Sequence, residues 1–351
     1  MNNTVNKYLD ADAGYIADNF NFIDELSGSS VLITGSTGLI GSQVIRALCA
    51  INSLHKLHIR IIAMVRSLDK AKKVLGNLCD SSDVVLVQAD MDSLDAIKEN
   101  VDYIVHAASP TGSGYFVEHP VETIHTAVMG TDRLLSFALQ SNIKKMVYLS
   151  SLEVYGTPTP DQEWMSEEDF GRLDPARVRS SYSEGKRMAE CLCASYASEY
   201  SLPVCMARLS QTFGPGVDYN DGRVFMEFTR CALEGRDIVL HTPGRTVRTY
   251  LYTRDAVMAI LYLLAFGENA MPYNVTNRDT AVSILEMAEL VADIIGKGHI
   301  SVRVDIPEDV GRFGYNPEMV IRLDPSRLEV LGWKATTGLS DMFMHMADGW
   351  F

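Results

Sequence analysis

The feature that most constrains the fold is the run Thr34-Gly35-Ser36-Thr37-Gly38-Leu39-Ile40-Gly41, placed after the apolar Val31-Leu32-Ile33 and before the helix-like stretch Ser42 to Cys49. A strand, a glycine turn and a helix start in that order set backbone N–H groups at a helix N-terminus, where a dinucleotide pyrophosphate binds. The three glycines have separable duties. Gly35 permits a tight turn, Gly38 lets the backbone approach the phosphates, and Gly41 allows close packing of helix on strand. A lone glycine triplet is equally compatible with a surface turn, so the reading depends on partners further along.

The rest of the chain supplies them. Strand-like runs recur at Val31 to Thr34, Ile59 to Val65, Val84 to Gln88, Tyr103 to His106, Met146 to Ser150 and Val204 to Leu209, with helical patterns between most of them. That alternation predicts an α/β fold with a doubly wound parallel, Rossmann-like sheet. After Gly214-Pro215-Gly216 the pattern becomes less regular, and Ala256 to Phe266 and Ile284 to Ile295 read as further helices. The expected organisation is a helical extension over 1–29, a dinucleotide-binding domain over 30–211, and a smaller, mainly substrate-binding part over 212–351 whose segments return to the sheet.

A second constellation carries chemistry. Ser150 and Ser151 follow the apolar Met146 to Leu149, which puts a hydroxyl at the carboxyl end of a parallel strand, where ligands of open α/β sheets bind. Tyr182 and Lys186 then stand four apart at the start of a helical stretch through Met188, Leu192 and Tyr196, and so share one face. An ammonium near a phenol favours phenolate, so Lys186 is expected to lower the pKa of Tyr182 and make it a general base.

Composition narrows the partners. The 351 residues, 47% of them hydrophobic, suffice for a large core and a companion domain. Asp plus Glu number 45 against 31 Lys plus Arg, a formal charge of -14, which argues against nucleic acid or an anionic membrane as partner. The six cysteines, at 49, 79, 191, 193, 205 and 231, lie mostly in apolar segments and read as buried, reduced thiols. Cys191 and Cys193 point to different helix faces, and no metal site is expected. The leader between Tyr8 and Ser30 carries five acids, Asp10, Asp12, Asp18, Asp24 and Glu25, without a long apolar core after a basic start. It reads as a helical extension packed on the first domain of a cytoplasmic protein, not as a signal or membrane span.

From about Ser30 to the C-terminus the chain resembles the extended short-chain dehydrogenase/reductase family, whose members act on nucleotide sugars. The resemblance is carried by the glycine turn, His106-Ala107-Ala108-Ser109, Tyr182 with Lys186, Arg208 to Pro215, Tyr273-Asn274-Val275 and Leu331-Gly332-Trp333. Its more specific portions look like UDP-glucuronate decarboxylases: Ala108-Ser109-Pro110 with Tyr115, His119-Pro120 and Gly130-Thr131, then Asn220 to Val224, then Arg248 ahead of Tyr252 and Asp255. The resemblance implies a homodimer. It also implies a reaction in which Tyr182 takes the proton of the sugar 4-hydroxyl while hydride passes to a nicotinamide, leaving a 4-keto sugar. That ketone acidifies C5 and makes a C5 carboxylate a β-keto acid, so decarboxylation, elimination and epimerisation share one oxidation.

On this basis Ser151, Glu153, Tyr182 and Lys186 are the candidate catalytic residues. Gly35, Thr37, Gly38, Leu39, Ile40, Gly41, Arg66, Asp90, Met91, Ala107 and Lys186 form the candidate cofactor set. Ser109, Tyr115, Gln211, Arg223 and Arg248 form the substrate set. Glu153 matches a glutamate of the decarboxylases and 4,6-dehydratases, whereas Leu152 replaces a proton donor suited to expelling a 6-hydroxyl. Gln211 and Ala127 stand where the family usually has asparagines. Arg223 and Arg248 suit a diphosphate or carboxylate by their planar forks. Asp90 matches a position that contacts adenine. At the end of the second strand a carboxylate would select NAD, but the residue is Arg66, followed by Ser67 and Lys70, which leaves NAD and NADP both open. An arginine stacked on adenine is the other use of that position. The reading is a UDP-glucuronate decarboxylase-like enzyme with a recycled nicotinamide cofactor. The alternatives are a 4-epimerase or 4,6-dehydratase and, from another class, a non-catalytic dinucleotide sensor.

Overall fold

The computed structural model describes residues 7–110, 112–307 and 318–350. In chain order the strands are β1 (Ser30–Thr34), β2 (Arg60–Val65), β3 (Val84–Gln88), β4 (Tyr103–His106), β5 (Lys145–Ser151), β6 (Val204–Leu209), β7 (Gln211–Phe213), β8 (Ile238–Leu240), β9 (Val247–Tyr252), β10 (Pro272–Val275), β11 (Asn277–Ser283), β12 (Val302–Val304) and β13 (Val320–Ile321). The helices are α1 (Tyr8–Asp18), α2 (Ile23–Leu26), α3 (Leu39–His55), α4 (Leu68–Leu75), α5 (Ser113–Glu118), α6 (Pro120–Gln140), α7 (Ser180–Tyr200), α8 (Val224–Leu233), α9 (Thr253–Phe266), α10 (Ile284–Ile294), α11 (Ser326–Val330) and α12 (Leu339–Ala347).

The main sheet has seven parallel strands in the order β3-β2-β1-β4-β5-β6-β10. Successive strand residues face opposite sides. Val31, Ile33, Val105 and Val147 therefore pack with α1, α3 and α9, while Leu32, Ile62, Ile104 and Met146 pack with α6 and α7. Coverage on both faces explains why these strands read as unbroken apolar runs rather than alternations. Strand order reverses between β1 and β4, opening a crevice at their carboxyl ends.

β7 begins one residue after β6 and pairs with β9, the central strand of a second small sheet that also holds β11 and β13. A second core lies here, with Phe213 stacked on Phe225 at 4.5 Å between ring centroids, against Tyr250 and Phe343. The chain then returns to the first unit: α9, Leu328 and Trp333 join its core, and β10 extends its sheet.

The leader does more than pack on the first domain. Ile16, Ala17 and Phe20 enter the main core, yet Tyr8 stacks on His345 at 3.8 Å and Lys7 pairs with Asp348 at 2.6 Å, so α1 straps the main core to α12 and the chain end. Residues 1–6 of the expected extension lie outside the described residues. The cysteine expectation needs one correction. Cys193, Cys205 and Cys231 are buried and Cys49 and Cys79 partly so, but Cys191 is exposed on α7, two residues before buried Cys193 and on a different face of the helix. Among the described residues no helix is long and apolar enough to cross a membrane.

Asp12 gives the strap a pH dependence. Its carboxyl is buried beside Tyr252, with Arg254 at 3.5 Å. Burial pushes its pKa up to about 6, against pulls from the Tyr252 hydrogen bond and the Arg254 charge. The folded chain thus holds the Asp12 proton more tightly than the unfolded chain, in which the pKa is about 3.9. Asp12 stabilises the fold fully below the unfolded value, and the contribution is lost as pH rises through 6. Thermal denaturation of wild type and Asp12→Asn should show a difference that shifts in favour of wild type between pH 7 and pH 5. A difference independent of pH over that window would contradict the assignment.

Candidate active site

A cleft of about 240 Å³ opens at the carboxyl edge of the main sheet, lined by Gly35 just after β1, Ala107 just after β4, Ser151 at the end of β5 and Leu209 at the end of β6. One wall is the glycine turn and the start of α3. The opposite wall carries Phe116, Glu153, Tyr182 and Lys186, and Gln211, Thr212 and Arg223 close the end nearest the second sheet.

The turn is shaped by what it leaves out. Gly35 has φ +67°, and a Cβ there would meet the Ala107 carbonyl carbon at 2.7 Å. A Cβ on Gly41 would lie 2.4 Å from the Gly35 oxygen, so this glycine lets α3 close on the turn itself. Gly38 precedes α3 in extended conformation, and its missing Cβ keeps the helix mouth clear. Three cleft groups, Ser150 Oγ, Ser210 Oγ and Gln211 Oε1, are buried without a hydrogen-bond partner among the described residues. Clear space at a helix N-terminus, with unsatisfied polar atoms opposite, fits a dinucleotide and a polar substrate.

At the end of β5 the Ser151 hydroxyl accepts the Glu153 N–H at 3.2 Å and hydrogen-bonds Tyr182. The Glu153 carboxylate is held at both oxygens. Arg179 Nη2 reaches one at 3.1 Å, and the Ser183 hydroxyl donates to the other at 3.1 Å. Tyr182 lies parallel to Phe116, with centroids 4.2 Å apart and a 10° interplanar angle, and Arg179 covers Phe116 at 5.1 Å. Lys186 donates to the Leu149 carbonyl at 2.7 Å and sits 5.8 Å from the Tyr182 ring centroid. Behind it, His106 bridges Thr34 and Thr131, and burial together with the Lys186 charge holds its pKa down to about 3, so the ring is neutral.

The electrostatics correct one expectation. Lys186 does not lower the phenol of Tyr182 in this arrangement. Burial pushes Tyr182 up to about 12, with the Ser151 hydrogen bond pulling the other way and the Glu153 charge adding to the rise. The ammonium directs its hydrogen bond to a carbonyl rather than to the phenol, and burial pulls Lys186 itself down to about 8. A buried phenolate lacks hydration, and that loss outweighs a cation placed to the side.

Other candidates lie at varying distances from this centre. Ser109 lines the cleft with Leu39, Ile40 and Gly41. Arg223 lines it too, but its guanidinium is held bidentately by Asp221, with Nη2 at 2.7 Å. Thr37, Arg66, Asp90 and Met91 lie outside the lining, Met91 packing near Gly130 of α6. Tyr115 is exposed and tilted over His119, and the adjacent Phe116 enters the cleft instead. Arg248 stands mid-sheet on β9, paired with Val282 and Ile321, and among the described residues its Nε has no hydrogen-bond partner. Sequence reasoning missed Phe116, Arg179 and Ser183. Only the last has a legible signal, as the residue next to Tyr182 on the same helix.

A glycine turn at a helix N-terminus, a buried Tyr-Lys pair and a strand-end serine thus meet in one cleft of an α/β fold. Residues 31–277 match the NAD dependent epimerase/dehydratase family. UDP-glucuronic acid decarboxylase 6 of Arabidopsis thaliana is 29% identical over 317 residues, covering 90% of this chain and 87% of that protein. Among solved structures, DesIV, a dTDP-glucose 4,6-dehydratase of Streptomyces venezuelae solved with NAD, superposes with TM-score 0.76 at 22% identity, over 92% of this chain and 96% of that one. A UDP-glucuronic acid 4-epimerase of Bacillus cereus, solved with UDP-glucuronic acid and NAD, gives TM-score 0.76 at 20% identity, over 91% and 98%. The chain belongs to the NAD dependent epimerase/dehydratase family.

Proposed function

We propose that the protein oxidises C4 of a nucleotide sugar and acts as a UDP-glucuronate decarboxylase. The observation that carries the reading is the position of Glu153, two residues beyond Ser151 in the cleft that Tyr182 also lines, with its carboxylate held by Arg179 and Ser183. The decarboxylase relatives support the same choice. A bound nicotinamide supplies the hydride acceptor. Tyr182 takes the proton of the sugar 4-hydroxyl, the Ser151 hydroxyl holds that oxygen in register, and Lys186, anchored on the Leu149 carbonyl, is placed to hold the nicotinamide ribose. With C4 a ketone, the C5–carboxylate bond breaks, carbon dioxide leaves, and its electron pair becomes a C4–C5 enolate that is protonated at C5; return of the hydride to C4, with Tyr182 giving its proton back to the 4-oxygen, would yield the UDP-pentose and restore the cofactor. Glu153 orients the ring during that protonation. Arg223 and Arg248 are assigned to the diphosphate or carboxylate.

One observation favours C4 epimerisation as the second reading: both oxygens of Glu153 are engaged, so it has no free position for a proton. Dehydration is disfavoured because Leu152, buried and apolar, lines the cleft where a 6-hydroxyl would need an acid. Screening UDP-, dTDP-, GDP- and CDP-sugars with mass detection tests the choice. Conversion of UDP-glucuronate to a UDP-pentose supports it, and turnover of neutral sugars alone contradicts it.

The same reading places the enzyme in the cytoplasm as a homodimer. Val121, Ile124 and Met129 on α6 and Met188 on α7 are exposed apolar side chains on two helices packed side by side. A second copy would cover them, and a monomeric mass by light scattering would contradict that assembly.

A further inference from the structure

We propose that this chain selects the 2′-phosphorylated dinucleotide NADP, with Arg66 as the selecting residue. The inference rests on the glycine turn being a dinucleotide site. β2 runs parallel beside β1, with Ile33 opposite Ala63, so the residue after Val65 emerges at the carboxyl edge next to Gly35. A pyrophosphate at the mouth of α3 directs the adenosine ribose to that strand end. A ribose diol is held there by a carboxylate, whereas the residue this chain places at that strand end is Arg66.

Arg66 is exposed, and among the described residues its guanidinium has no ion-pair or hydrogen-bond partner. Its one contact is through the main chain, where Gln88 Nε2 donates to the Arg66 carbonyl at 3.4 Å. Ser67 accepts the Lys70 N–H at 3.2 Å, so its own hydroxyl proton is free to donate, and the Lys70 ammonium stands one turn away. The guanidinium fork and the second cation are donors only, and the Ser67 hydroxyl adds a further donor while its oxygen already accepts from Lys70. Together they suit a phosphate dianion and offer a diol no carboxylate to accept from it.

The neighbouring acids do not replace the missing carboxylate. Asp69 lies inside the first turn of α4, at the positive end of that helix. Asp90 accepts from the Asp92 N–H at 3.0 Å and the Ser93 hydroxyl at 2.8 Å, closing its own turn. The competing use of Arg66, stacking on the adenine face, serves NAD and NADP equally. That equality makes the two uses separable.

Calorimetric titration of NAD, NADP, 5′-AMP and adenosine 2′,5′-bisphosphate into wild type, Arg66→Ala and Arg66→Asp decides the matter without turnover. Wild type should bind NADP at least about tenfold more tightly than NAD, the scale of one charge-assisted pair. The bisphosphate should likewise exceed 5′-AMP. Arg66→Ala should weaken only the 2′-phosphorylated ligands, and Arg66→Asp should reverse the preference. Tighter binding of NAD by wild type, or equal losses of both dinucleotides in Arg66→Ala, would overturn the proposal while leaving the dinucleotide site intact. Binding of neither dinucleotide would overturn both.

Discussion

Tyr182→Phe should lower turnover by about a thousandfold, within the range lost when a positioned general base is removed. Dinucleotide affinity should be nearly unchanged. The phenyl ring keeps the stack on Phe116, so the wall of the cleft stays in place and only the proton acceptor is lost. The high pKa of the ligand-free phenol sharpens the expectation. At about 12 it is protonated throughout the physiological range, so the residue becomes a base only as the bound ligands favour phenolate. Measured kcat close to wild type, in a variant that still binds dinucleotide, would remove Tyr182 from the proton relay.

Arg208→Met should produce the largest loss of stability. Arg208 and Glu190 are both buried, with Nη2 to Oε2 at 2.7 Å, and Arg208 Nη1 also donates to the Tyr155 hydroxyl and the Glu167 carbonyl. Burial alone would pull the guanidinium down, yet the Glu190 hydrogen bonds and charge hold it above its ordinary value. Removing one partner leaves an uncompensated buried charge, a cost of about 3–5 kcal/mol. For a chain of this size that corresponds to a fall in melting temperature of about 5 °C. The double variant Arg208→Met, Glu190→Met should recover much of the loss, because an apolar pair of similar volume carries no desolvation cost. Equal destabilisation in the single and double variants would show that packing of the guanidinium stem, not the charge, is what matters. Glu190 also lies one turn beyond Lys186 and raises its pKa, so the network supports the site as well as the fold.

The parallel sheet and the glycine turn were legible because each depends on local pattern. Val31-Leu32-Ile33 is apolar on both faces, and the glycines are fixed by backbone approaches that admit no Cβ. Ser151, Tyr182 and Lys186 were legible because a strand end and a four-residue helix spacing determine where they point. What stayed hidden depends on phase or on distant partners. Tyr115 and Phe116 differ by one residue, and only the start of α5 decides which of them turns inward. Arg179 has no motif and acts through a contact with Glu153 made across 26 residues of chain. The strap of α1 onto His345 joins opposite ends of the sequence, which no local pattern reports. The pKa of Tyr182 turns on burial, which the Tyr-Lys spacing leaves unspecified.

The central claim is that oxidation at C4 makes the C5 carboxylate leave. It is tested most directly with UDP-glucuronate labelled with carbon-13 at the carboxyl group, incubated with purified protein and catalytic dinucleotide. The account predicts labelled carbon dioxide and an unlabelled UDP-pentose in equal amounts, with no net change in the oxidation state of the cofactor. Complete retention of the label, whether in unreacted substrate or in its C4 epimer, would contradict it.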